Sequence, residues 1–90
     1  MNFSETVENF LVKLRRDSIF STDDYEKIKS FLLDKVYEWK TAGSVPIEYM
    51  VEIVFLIDQL AGGSRFFDEE TALKVEDACL EIEDIINTLI

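Results

Sequence analysis

Apolar residues recur along this chain at intervals of three and four, the spacing that lines one face of a helix. Phe3, Val7, Phe10, Leu11 and Leu14 form a first stripe, and Tyr25, Ile28, Leu32, Val36 and Trp39 a second. A third stretch, Pro46 to Gly63, is apolar over most of its circumference. There Ile47, Met50, Ile53, Val54, Ile57, Leu60 and Ala61 share one broad arc, with Tyr49, Val51 and Leu56 on its shoulders. The fourth stripe is Ala72, Val75, Cys79, Ile82, Ile86 and Leu89, widened by Ala78 and Ile85. No stretch alternates with the period of two that a half-buried strand requires. The pattern predicts an all-α chain of four helices.

Capping residues set the boundaries. Asn2, three residues before Glu5, has capping-box spacing, so the first helix starts after Asn2 or Ser4. Lys13, Arg15 and Arg16 suit its negative C-terminal end. Asp17 to Phe20 read as a short connection with Ile19 and Phe20 turned inward. Ser21-Thr22-Asp23-Asp24 supplies hydroxyl caps and first-turn acids for the second helix. Ala42-Gly43 stops that helix, because glycine takes the left-handed position cheaply. Pro46 restarts the chain where its missing N–H costs nothing. Gly62-Gly63 ends the third helix, Ser64 to Phe67 turn the corner, and Asp68 caps the fourth. Such short connections favour an antiparallel four-helix bundle.

The third helix reads as the centre of that bundle, contacting several neighbours. Its narrow polar strip holds Glu48, Glu52 and Gln59, with Phe55 in the middle of it. At ~24 Å it is too short, and too acidic, to cross a bilayer. A chain of 90 residues, 48% hydrophobic, fits one domain spanning residues 1–90 with a core that needs no staples. The start of the chain lacks the basic and apolar character of a signal peptide. A soluble, cytoplasmic monomer with no membrane contact is expected.

Charge changes the picture. The net charge is −10, and it is unevenly spread. Residues 1–45 carry 8 acidic and 7 basic side chains, whereas residues 46–90 carry 11 and 2. Solubility is served by interspersed signs; concentrating the excess in one half creates a directional field that steers a basic partner.

The residues leave little room for catalysis, and no enzyme activity is expected. There is no histidine, and the single cysteine, Cys79, falls on a buried stripe with no base to activate it. Glu76, Glu83 and Asp84, or Glu48 and Glu52, share helix faces, yet no loop or Glu-x-x-His pattern accompanies them as in known cation sites. No metal or cofactor is expected. Asp17-Ser18-Ile19 resembles the Asp-Ser-Leu attachment site of acyl carrier proteins over three residues, but the third is isoleucine and Phe20-Ser21-Thr22-Asp23 departs from that pattern. A loop and helix cap explain it. Direct nucleic-acid binding would require lysines and arginines to neutralise phosphates. Here the basic cluster Lys13-Leu14-Arg15-Arg16 matches a helix end.

What remains is the outer side of the fourth helix. Glu69, Glu76, Asp77, Glu83, Asp84 and Asn87 lie there, and Leu73 and Leu80 lie among them. With Phe55, these are large apolar residues placed in negative surroundings, as in a high-affinity site for a basic protein. Glu48, Glu52, Phe55, Leu73, Glu76, Asp77, Leu80 and Asp84 are therefore the expected partner-binding residues. In size, acidity and helical character the chain resembles the immunity proteins of bacterial competition systems, of the colicin or contact-dependent-inhibition type. That resemblance implies a cognate nuclease toxin whose basic substrate cleft is filled by the acidic face. A nucleic-acid mimic that inhibits a DNA-binding protein would share the mechanism. A helical adaptor subunit would instead use the exposed apolar residues.

Overall fold

A computed structural model describes residues 2–63 and 67–89. These form four helices: α1 (Phe3–Asp17), α2 (Thr22–Ala42), α3 (Ile47–Gly63) and α4 (Glu69–Asn87). No strand occurs among the described residues. The caps act as their residue types dictate. The Asn2 side chain accepts from the Glu5 N–H, Ser21 from Asp24 and Asp68 from Thr71. Ser18 closes α1 in the left-handed region, with φ 54°, and Gly43 closes α2 at φ 78°. The Pro46 carbonyl accepts from Tyr49 and Met50, starting α3. Of the turn expected at Ser64 to Phe67, Ser64, Arg65 and Phe66 lie outside the described residues.

Helix α1 packs against α2 and α3, and α4 packs against the same two. The four therefore form an all-α bundle, about 40 Å long and 23 by 19 Å across, with α1 diagonal to α4 and α2 diagonal to α3. Phe3 stacks on Phe31 at one end of α1, while Lys13 pairs with Asp24 near the other, so α1 and α2 run antiparallel. Ser4 bonds Glu52, and Leu14, Arg15 and Ser18 share a recess with Asp58, Gln59 and Gly62, so α1 and α3 run parallel. Only five residues separate Gly63 from Glu69. They are too few to travel the length of α3, and α4 returns antiparallel to it. The link from α2 to α3 thus crosses the bundle, and Tyr49 bridges the diagonal by packing its ring on Phe3, Phe31 and Trp39.

One continuous core results. Every residue of the first two stripes is buried, as are Val75, Ala78, Cys79, Ile82 and Ile85 of the fourth. Two expectations fail. Ile19 is exposed, and only Phe20 of that pair turns inward, onto Phe10 and Tyr25. The second failure is larger: α3 is not a central helix. It occupies a corner and buries a narrow stripe, Ile53, Leu56 and Leu60, flanked by half-buried Tyr49 and Ile57. Ile47, Met50, Val51, Val54 and Ala61, all placed inward or on its shoulders by the wheel, are exposed. Apolar residues outnumber polar ones so heavily on this helix that their mean direction misses the core by about a quarter turn. The strip bearing Glu52 and Gln59 rotates toward α1 and becomes half-buried.

Candidate partner-binding surface

Helix α4 presents two opposite faces. Val75, Ala78, Cys79, Ile82 and Ile85 seat it on the core. Leu73 and Leu80, seven residues apart and so two turns along one line, point directly away from it, 54% and 60% exposed. Glu76, Asp77, Glu83 and Asp84 surround them, all exposed. Each leucine leaves apolar area uncovered that a partner could remove from water, contributing roughly 1–2 kcal/mol.

The side of α4 that meets α2 is electrically complete. Lys29 lies 2.7 Å from Glu81, and the Tyr25 hydroxyl donates to the same carboxylate at 3.1 Å. The Lys29 contact holds the Glu81 carboxyl below its ordinary range, with a smaller push from Tyr25. Burial, reinforced by the Glu81 charge, pushes the Tyr25 phenol well above its usual value. Near the start of α4, Lys74 approaches Glu70 at 3.7 Å. Among the described residues, no lysine or arginine pairs with Glu76, Asp77, Glu83 or Asp84. The outer carboxylates therefore present a field that nothing in the described bundle neutralises.

Cys79 lies beneath this face, where its Sγ donates to Glu83 at 3.4 Å. Burial first, then that carboxylate, pushes the thiol up to about 11. A thiol so held is a poor nucleophile at neutral pH. Among the described residues no three His, Cys, Asp or Glu side chains cluster as a metal centre needs, and no helix is long and apolar enough to cross a membrane.

The eight residues expected at the site divide into two groups. Leu73, Glu76, Asp77, Leu80 and Asp84 share the outer side of α4. Glu48, Glu52 and Phe55 lie on the opposite flank of α3, toward α1. Glu52 accepts a 2.8 Å hydrogen bond from Ser4, and Phe55, 47% exposed, overhangs an open groove between α1 and α3. That groove is floored by Val7 and Leu11 and edged by Val12, Val51 and Phe55. Between the two groups lies the exposed apolar face of α3, which the sequence reading assigned to the core. Its signal was present as an excess of apolar positions over what one flank of a bundle helix can bury. Comparison with family models, curated proteins and solved structures finds no match.

Proposed function

We propose that this chain is an immunity-type inhibitor, without activity of its own, that acts in the cytoplasm by docking the outer face of α4 in the basic substrate cleft of a nuclease toxin. The observation that supports the reading best is the pair Leu73 and Leu80, exposed amid carboxylates that no cation of the described bundle neutralises. A nuclease cleft is positive because it must hold phosphates. Carboxylates arrayed along a rigid helix steer encounter with such a cleft and exclude its substrate, and the leucines anchor the complex against salt. Glu76, Asp77 and Asp84 supply the attraction, and Leu73 and Leu80 the central contacts. Glu48, Glu52 and Phe55, on the flank of α3 toward α1, stand apart from this docking face.

The exposed face of α3 favours a second reading, a helical adaptor that takes up a partner helix through apolar contacts. Co-expression tests the first. The polypeptide encoded immediately upstream is produced in cells with and without this chain. Growth arrest or nucleic-acid cleavage that this chain prevents supports the immunity reading. A harmless upstream product that binds this chain equally well in low and high salt supports the adaptor.

A further inference from the structure

The groove between α1 and α3 lies away from the outer face of α4, since α1 and α4 are diagonal in the bundle. It is an open trough of about 550 Å³ with an apolar floor. Its charges are sorted by end: Glu8 and Glu52 line one part, Arg15 and Arg16 the other. On α1 alone, Glu8 and Arg15 are seven residues, or ~10 Å, apart. Because α1 and α3 run parallel here, acid and base are separated along the bundle axis and not across it.

We propose that this groove is the contact surface for a second copy of the chain, in an antiparallel two-fold dimer. A two-fold axis across the trough reverses the partner copy end for end. Glu8 and Glu52 of each copy then meet Arg15 and Arg16 of the other, so the same pairing forms twice. Val12, midway between Glu8 and Arg16 on α1, lies nearest the axis and meets its own counterpart, while Phe55 and Val51 are covered by the other copy and lose their exposure to water. Self-complementary charge selects a second copy over a generally basic partner, which Arg15 and Arg16 would repel. The objection from net charge is reduced, since most of the excess acid is on α4, away from the groove.

The test is sedimentation equilibrium of the purified chain from micromolar to millimolar concentration, in low salt. Wild type forms a dimer that weakens as salt rises. The variants Glu8→Lys/Glu52→Lys and Arg15→Glu/Arg16→Glu each remain monomeric, because each places like charges at both ends of the paired troughs. Mixed in equal amounts, the two restore a dimer containing one of each. Val12→Glu, at an exposed position beside the axis, sets two like charges against each other and abolishes association while leaving the thermal midpoint near wild type. A wild-type chain that stays monomeric throughout overturns the proposal. So does a dimer indifferent to both charge reversals, which would place the contact elsewhere. If wild type is monomeric and Val12→Glu instead weakens binding of the upstream polypeptide, the groove belongs to that partner.

Discussion

Lys29 on α2 reaches Glu81 on α4 at 2.7 Å, and so neutralises the α2-facing edge of a helix whose outer carboxylates Glu76, Asp77, Glu83 and Asp84 have no such partner among the described residues. Tyr25 donates to the same carboxylate and locks the pair between the helices. Lys29→Ala should therefore loosen the contact between α2 and α4 while leaving the outer face of α4 in place. Because Lys29 and Glu81 are partly exposed, the loss should be modest, a small drop in the urea midpoint. Partner affinity should be unchanged.

Phe55 separates core from surface roles on α3. Its ring is about half exposed, against complete burial for Phe10. Phe55→Ala should cost about 1–2 kcal/mol of folding stability, and Phe10→Ala about 3–5 kcal/mol. Denaturant midpoints of the two purified variants check the ordering. Equal losses would mean that α1 covers Phe55 far more completely than the groove allows.

Much of this architecture is legible in the chain. The stripes of α1, α2 and α4 each point one way, and capping residues at Asn2, Ser21, Gly43 and Asp68 mark their ends. Helix α3 escapes such reading for a physical reason. Periodicity locates a buried face only when the opposite face is polar, and Ile47, Val51 and Val54 erase that contrast. Neighbours decide its orientation instead: Tyr49 inserts among Phe3, Phe31 and Trp39, and Ser4 captures Glu52. Neither contact has a signature in local sequence. The outer face of α4 was legible because Leu73 and Leu80 stand at a spacing of seven among acids. The division of the expected site was not, since it depends on which way α3 is turned.

Acid should expose the ion pair between α1 and α2. Lys13 donates to Asp24 at 2.8 Å, and this contact, helped by Ser21, holds the carboxyl below its ordinary range against the opposing effect of burial. A depressed carboxyl contributes stability above its unfolded pKa, near 3.8, and that contribution is lost as pH falls through the lower folded value. Asp24→Asn should cost about 1–2 kcal/mol at neutral pH and progressively less as pH falls through the lowered folded pKa. Thermal midpoints of variant and wild type should accordingly converge in acid. A constant gap between them would assign the effect to packing.

Cys79 should alkylate slowly at neutral pH in the folded protein, since burial and the Glu83 carboxylate together push its thiol up to about 11. Glu83→Gln removes the nearby negative charge, lowering the thiol pKa and speeding iodoacetamide modification at pH ~8. Rates identical to wild type would show that burial alone controls access.

The account rests on the outer face of α4, and association kinetics with the upstream polypeptide test it most directly. The rate constant is measured across a range of salt for wild type and two triple reversals. One is Glu76→Lys/Asp77→Lys/Asp84→Lys on α4, and the other Glu26→Lys/Asp34→Lys/Glu38→Lys on α2. The account predicts fast, strongly salt-dependent association for wild type and for the α2 variant. The α4 variant should associate roughly tenfold or more slowly, with little salt dependence. Loss of binding in the α2 variant, with the α4 variant unaffected, would contradict the account and leave the acidic half of the chain as a solubilising surface.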